Sequence, residues 1–590
     1  QDILRREPDN ADANNLLGVI RHQQGRYADA VVLIEKALQA RPHTALFENN
    51  LGNAYMGLQQ PQSAVECFQR SLQIEVTGET LNNLGLAYSN LGQQERALDM
   101  FERALALQPS NAQLHANSAI AWQERGEVRR AIEQLQRAVE LEPGYSVAYQ
   151  MLGKLYCDMG DAGRGRKYYE LAQKLAPNRA NLAAIFSAMN YDRHCSAAEI
   201  RVAAERWAEA VEMVPGALPE KPRAGPVEKS VLNIGYVSPD FRNHAAQYFI
   251  EPLLAHHDRT GFRVFCYSNS PVEDAATQRM IGYGHGWRRI HGMDDAGARD
   301  LVRQDGIDIL VDLAGHTAGN RLELFALRSA PVQLTWFGFP ATTGLRAMDY
   351  RFTDAVIDPP GSEVNYTEKL FRLAGFYACF APSGHLPRNS GLPAKQNGFV
   401  TFASLSSLIK IDAQMVATWA RILAAVPDSR LLLKARYLDS DYVQERFDRI
   451  FADAGVAKQR IIYEEPSKVQ DFLADTPSRV DIALDSYPYN GAITTFHTLL
   501  MGIPVVSLAG DAAPSRVSLS LLTSLGLERF CAPTQEDYVE TAVALAGDPL
   551  GLERLRSELP VRLSKAAGDC SDFVRQVEEA YRRIWALSAG

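Results

Sequence analysis

The chain has 590 residues, 46% of them apolar and 22% charged, and a formal net charge of −9. That length exceeds what one hydrophobic core holds and predicts three or four domains. The acidic balance argues against a nucleic-acid or anionic-membrane partner, and no apolar run approaches the ~18 residues of a membrane span. Seven scattered cysteines without a CxxC pair argue against a disulfide framework or a zinc site, and predict a reducing, cytoplasmic setting.

The first third is periodic. NNLLGVI, NNLGNAY, NNLGLAY and MLGKLY place glycines at 18, 52, 85 and 153, and a degenerate copy has Ala119 in that slot, so the step is 33 or 34 residues between neighbouring copies. Each copy continues with a small residue (Ala30, Ala64, Ala97, Ala131, Gly165) and, four later, a large apolar one (Ile34, Phe68, Phe101, Leu135, Tyr169). Small residues let two antiparallel helices approach, the large one fills the space between them, and a Pro usually closes the unit. The pattern resembles the tetratricopeptide repeat and predicts an α-solenoid of about five repeats over 1–179. Asn50, Asn83 and Asn117 recur two positions before the glycine slot, on the helix that lines a solenoid's concave face. An amide carries both donor and acceptor, so these three either hold an extended peptide backbone or are tolerated polar residues on a wet face.

Residues 180–230 read as a helical linker, because AAEIRVAAERWAEAVEMV gives way to the Pro- and Gly-rich PGALPEKPRAGPVEKS. From 231 short apolar strands alternate with helices: VLNIGYVS, FRVFCYSN, IDILVDLAG and PVQLTWFGF. FYACFAPSGHLPRNSGLPAKQNG reads as a second linker before FVTFAS, RLLLKA, RIIYEE, VDIALDS and PVVSLAG. Two consecutive doubly wound domains predict a ligand cleft beyond their strands' carboxyl ends. His244 follows the first strand and is either a proton acceptor at that edge or an incidental loop residue. His316, in AGHTAGN after another strand, either lines an acceptor side or makes a structural hydrogen bond.

The second domain carries an anion-binding pattern. Asp412 is the expected N-cap of DAQMVATWARILAAV, which puts Lys410 beside a helix N-terminus, where a cation fits better if an anion shares the spot. The Tyr489-Asn490-Gly491 loop opens a helix whose first residues include Thr494 and Thr495. Free N–H groups and hydroxyls there form either an anion cradle or ordinary capping.

GYVSPDFRNH, DGIDILVDLAGHTAGNR, PVQLTWFGFPATTG, FASLSSLIKID and LDSYPYNGAITTFHTLLMGIPVV, following tetratricopeptide-like repeats, resemble the O-GlcNAc transferase family in a bacterial form. The resemblance covers essentially the whole chain, with the motifs in family order. It implies a GT-B fold of two Rossmann-like lobes, here 231–382 and 383–590. It also implies metal-independent, inverting transfer of N-acetylglucosamine from UDP-GlcNAc to Ser or Thr hydroxyls of proteins held by the repeats. No cofactor is implied beyond the sugar nucleotide, which is a substrate. His244 falls on the family's proposed base, for which a donor phosphate oxygen is the competing proposal. Lys410 falls on the lysine that neutralises the diphosphate, Gly338 and Pro340 on the segment bordering the sugar, and Ile493 and Thr494 on the diphosphate helix start, next to Thr495. Lys468 stands near the family's nucleotide-side lysine. Three positions depart: Ser407 replaces a Gln, His497 replaces an Asp that partners ribose, and SKVQDFLADTP lacks the nucleotide-contacting His. These departures leave open a Spindly-type protein O-fucosyltransferase using GDP-fucose, and a peptide-binding repeat scaffold with a decayed transferase.

Overall fold

In the computed structural model, which describes residues 2–212, 228–381, 391–566 and 570–589, each expected repeat is a pair of helices. The chain divides into two units: one runs to Leu155 and includes Lys174–Ala176, and the other holds Tyr156–Gln173 and everything from Pro177.

In the first unit the pairs are Ala11–Gln23 with Tyr27–Ala40, Ala45–Gly57 with Pro61–Ile74, Gly78–Asn90 with Gln94–Leu107, and Ala112–Glu124 with Val128–Leu141. The fifth pair is Ser146–Asp158 with Ala162–Leu175. The expected small and large positions meet inside each pair: Ala64, Phe68, Ala97 and Phe101 are fully buried. A Cβ added at Gly85 would lie 2.7 Å from the Phe101 ring, so the glycine is what lets the ring in. The turn inside each pair needs one left-handed residue. Gly25, Gly92, Gly126 and Gly160 supply it with φ of 72–79°, whereas the second repeat uses Gln59 at φ 58°.

The second unit contains two all-parallel sheets. The first lobe has β1 (Leu232–Ser238), β2 (Phe262–Ser268), β3 (Gly286–Arg289), β4 (Ile309–Asp312), β5 (Val332–Thr335), β6 (Tyr350–Asp354) and β7 (Lys369–Leu373), in the order β3-β2-β1-β4-β5-β6-β7. The second lobe has β8 (Thr401–Ser404), β9 (Arg430–Lys434), β10 (Ile461–Glu464), β11 (Ile482–Leu484), β12 (Val505–Leu508) and β13 (Cys531–Ala532), in the order β10-β9-β8-β11-β12-β13. Among the described residues no helix is long and apolar enough to cross a membrane.

Three expected boundaries move. The helices Arg179–Met189 and Ala197–Glu212 are not a linker but part of the first lobe. Phe186, Ile200 and Ala204 pack with Phe339, while Trp207 and Val211 join the core of β1 and β2. Burying that apolar face outweighs the loop-like composition that follows it, and 213–227 lies outside the described residues. The expected second linker begins inside both cores. Tyr377 and Cys379 point into the first lobe's, Ala378 and Phe380 into the second lobe's, as the two-residue period of extended chain requires; 382–390 lies outside the described residues. The last helix, Cys570–Ala589, leaves the second lobe and buries Val574, Val577, Tyr581 and Ile584 in the first. Its Tyr581 hydroxyl sits 3.0 Å from that of Tyr236 on β1, and Glu578 accepts from His257 at 2.8 Å.

Candidate active site between the two lobes

A cavity of about 420 Å³ opens between the lobes, at the carboxyl ends of β1, β4, β5, β8 and β11. The first lobe contributes Asp240, His244, Phe249, Thr317, Gly338 and Pro340; the second contributes Lys410, Tyr489, Asn490, Ile493, Thr494 and His497. Gly338 must be glycine, because a Cβ there would sit 2.5 Å from the Cα of Ala314. The turn that follows is held by Glu368, whose buried carboxylate accepts from the Thr342 hydroxyl and the Thr343 N–H at 2.7 Å each.

His244 lies in the loop between β1 and the helix Gln247–His256, with 42% of its side chain exposed. Its Nδ1 has two neighbours: the Ala246 N–H donates to it at 3.2 Å, and Asp240 Oδ1 lies 3.4 Å away. The first contact requires a bare Nδ1 and puts the ring's proton on Nε2. The second requires Nδ1–H and frees Nε2 as a base. Burial pushes the Asp240 carboxyl up, with His244 and Arg242 pulling it back.

Lys410 ends a short 3₁₀ turn, Leu408–Lys410, after β8. Its ammonium donates to the Asn490 carbonyl at 2.9 Å and lies 4.3 Å over the Tyr489 ring. Burial pushes it down to about 8, opposed by the charge of Asp485. The next turn is anchored by Asp412, which caps the helix Ala413–Ala425 by accepting from Met415 N–H at 2.7 Å, as expected, and takes a guanidinium fork from Arg193. Tyr191 stacks on Tyr489 at 4.8 Å. Opposite, the helix Ile493–Leu500 starts at Ala492 with no side-chain cap, so its first N–H groups are available to an anion.

The structure therefore brings His244, Gly338, Pro340, Lys410, Ile493, Thr494 and His497 to one cavity. Four expected residues fall outside it. Thr495 is buried on the far side of its helix, its hydroxyl 3.3 Å from that of Ser518, because consecutive helical residues face different ways. Ser407 and Lys468 are exposed outside the lining, and Ser467 lines the cavity in place of Lys468. His316 is enclosed by Phe186, Trp207 and Phe339, donates Nε2–H to the Thr343 carbonyl at 2.9 Å, and is pushed down to about 4 by burial. It is structural, since the two helices read as a linker cover it. His497 stays in the wall but is 6% exposed. Burial pushes it down to about 4, its ring is edge-on to Tyr248 at 5.0 Å, and its Nε2 has no partner among the described residues.

In the repeat unit the expected asparagines do line up, yet each commits one N–H to the preceding repeat. Asn50 donates to Asn15 at 3.0 Å, Asn83 to Asn49 at 3.1 Å and Asn117 to Asn82 at 2.8 Å. The acceptors form a second, buried ladder one residue earlier, legible in the doubled Asn of NNLLG, NNLGN and NNLGL. The sequence reading also missed Asp485 and Asn490, whose roles depend on backbone contacts that spacing does not show.

Two parallel-sheet lobes with a basic, open helix start on one wall and a His–Asp pair on the other define a glycosyltransferase of the GT-B class. The chain matches Glycosyl transferase family 41 over residues 204–380 and 388–576, and tetratricopeptide repeats over 1–45, 43–110, 82–146 and 146–179. It belongs to glycosyl transferase family 41, among the O-GlcNAc transferase-type sequences. It is 42% identical over 364 residues to the probable UDP-N-acetylglucosamine–peptide N-acetylglucosaminyltransferase SPINDLY of Solanum lycopersicum, covering 61% of this chain and 39% of that protein. Identity to the protein of the same description named SEC in Arabidopsis thaliana is 31% over 409 residues, covering 67% and 40%. The chain thus spans about two fifths of the length of these curated relatives. Among solved structures, a mutant of the Thermobaculum terrenum O-GlcNAc transferase superposes with a TM-score of 0.79 at 34% identity, covering 87% of this chain and 98% of that one.

Proposed function

We propose that this chain transfers N-acetylglucosamine from UDP-GlcNAc to Ser or Thr hydroxyls of proteins, with inversion at the sugar. The observation that supports it is the single cavity in which His244, backed by Asp240, stands across from Lys410 and the uncapped start of Ile493–Leu500. In this reading the acceptor oxygen bonds to the anomeric carbon as the bond to the UDP oxygen breaks. The hydroxyl proton passes to His244 Nε2 once Nδ1–H has turned to Asp240. The charge left on UDP falls to Lys410 and the helix N–H groups. Asn50, Asn83 and Asn117 offer their remaining N–H and carbonyl to an extended acceptor.

A second reading, fucosyl transfer from GDP-fucose, rests on the neutral His497 in the cavity wall, where the resemblance implies an Asp that partners ribose. Calorimetric titration with UDP, UDP-GlcNAc and GDP-fucose separates the two. Binding of UDP and UDP-GlcNAc but not GDP-fucose is expected; the opposite preference overturns the first reading. With phosphate charge met by side chain and backbone, turnover is expected to persist in EDTA. Activity lost to EDTA and restored by Mg²⁺ or Mn²⁺ would replace that part of the mechanism.

A further inference from the structure

Asp485 follows β11, is 5% exposed, and stands behind the residues that line the cavity between the lobes. Its carboxylate collects four donors: the N–H groups of Ser486 and Gly491 on Oδ1 at 2.9 and 2.8 Å, and the hydroxyls of Ser507 and Ser518 on Oδ2 at 2.7 and 2.6 Å. One of these bonds has a second end. The peptide joining Asn490 to Gly491 gives its N–H to Asp485, while its carbonyl accepts from the Lys410 ammonium at 2.9 Å. A carboxylate and an ammonium therefore grip one peptide from opposite sides, with its dipole aligned between them. That peptide cannot swing away. Asn490 is fully buried, donates its side-chain N–H to the Ser486 carbonyl at 2.9 Å and gives its backbone N–H to the Pro514 carbonyl at 2.9 Å. A Cβ at Gly491 would sit 3.3 Å from Asp485 Oδ1 and 2.5 Å from the Thr495 hydroxyl.

We infer that Asp485 is a positioning residue for Lys410. Through the Asn490–Gly491 peptide it fixes the carbonyl that aims the ammonium into the cavity, and it supplies the counter-charge that keeps that ammonium positive before the donor arrives. This rests on the reading of Lys410 as the group that meets the donor's diphosphate. The electrostatics agree: burial pushes Lys410 down to about 8, and Asp485 is the charge that opposes this. Burial likewise raises Asp485, and the bonds from Ser518, Ser507 and Gly491, with the charge of Lys410, oppose that. The other titratable groups near the pair are spoken for or lie across the cavity. Tyr489, under the ammonium, and Tyr538, whose hydroxyl donates to the Asp485 backbone carbonyl at 3.0 Å, are both pushed well up by burial. Asp412 is paired with Arg193, Cys531 is pushed up to about 12, and Asp240, His244 and His497 stand in the cavity's other walls. A lysine so close to neutrality loses its charge if its counter-charge goes.

The test is UDP affinity against pH from 7 to 9.5, above the ~6 at which a terminal phosphate titrates. In the wild type, affinity should decline as pH rises through about 8. Asp485→Asn should move that decline about one pH unit lower, making UDP about eightfold weaker than wild type at pH 8.5 but only about twofold weaker at pH 7. Lys410→Arg, charged throughout, should show no decline, alone or combined with Asp485→Asn. If Lys410→Met leaves UDP affinity intact, the diphosphate reading itself fails. If Lys410→Met weakens UDP while Asp485→Asn leaves the decline in place, only the role of Asp485 falls. Should Asp485→Asn not fold, Asp485→Glu carries the test. The charge is kept, so the decline should stay at the wild-type pH while overall affinity weakens; a decline that moves overturns the inference.

Discussion

His244 Nδ1 is contested by a backbone donor and a carboxylate, and only the carboxylate-facing tautomer makes the ring a base. His244→Ala is expected to lower the chemical rate by the ~10²–10⁴-fold typical of a lost acid–base group, with UDP affinity nearly unchanged. Parallel loss of binding and turnover would make it a donor-positioning residue instead. Lys410→Ala should weaken UDP by about 1.5–3 kcal/mol, the scale of a charge-assisted contact, measured by calorimetry at pH 7. A pH effect of opposite origin comes from His316 and His497, both pushed down to about 4 from an ordinary 6.5 by burial. Their folded forms are neutral, so the unfolded chain binds more protons between those values, and stability should fall as pH drops from about 6.5 to 4. Urea midpoints across that range check the sign, and His316→Gln, which keeps a donor for Thr343, should flatten part of the slope. At this scale the sequence revealed the chemistry but not the facing. Lys410 and His244 were legible from strand ends and resemblance, whereas Thr495 and Thr494 differ only in which side of one helical turn they occupy. His316 carried the right motif and lost its candidate role to two helices far away in the chain.

Gln59 holds the left-handed turn position that glycine fills in the four other repeats, and it is the repeat array's odd element. Gln59→Gly is expected to stabilise the unit by about 0.5–1 kcal/mol, because relief of left-handed strain outweighs the added freedom of the unfolded chain. A lowered melting temperature would contradict this. The reverse test lies in the helix packing: Phe101→Ala should cost about 3–5 kcal/mol, since the ring fills the space that Gly85 leaves open. Helix pairs were legible because a 34-residue period repeats its own evidence. The strands split by position. β1, β2, β4, β5 and β8 to β12 are apolar runs, as expected for parallel strands covered on both faces. β3, with sequence GWRR, lies at a sheet edge and carries two arginines; β6 (YRFTD) and β7 (KLFRL) mix charge with apolar residues, and β13 has two residues, so none of these offers an apolar run to find.

Each lobe's core contains chain from beyond the expected boundary, a feature that composition cannot show because a Pro- and Gly-rich segment reads alike whether it separates two bodies or merely decorates one. The C-terminal helix is the clearest case. Ile584→Ala, at a fully buried position, should cost about 2–5 kcal/mol, read as earlier thermal unfolding and faster proteolysis of the first lobe. If the second lobe alone were weakened, the helix would be misassigned. Among the described residues the chain thus moves from one core to the other at Tyr377–Phe380 and again between Leu563 and Phe573, while Phe249 and Val517 each reach into the other lobe's core. These crossings meet: Cys379 on the first and Cys570 on the second are in thiol hydrogen-bond contact. Arg193 on Asp412 and Tyr191 on Tyr489 join the same two lobes beside Lys410, so the distance between His244 and Lys410 is held by two seams, and neither seam alone sets it.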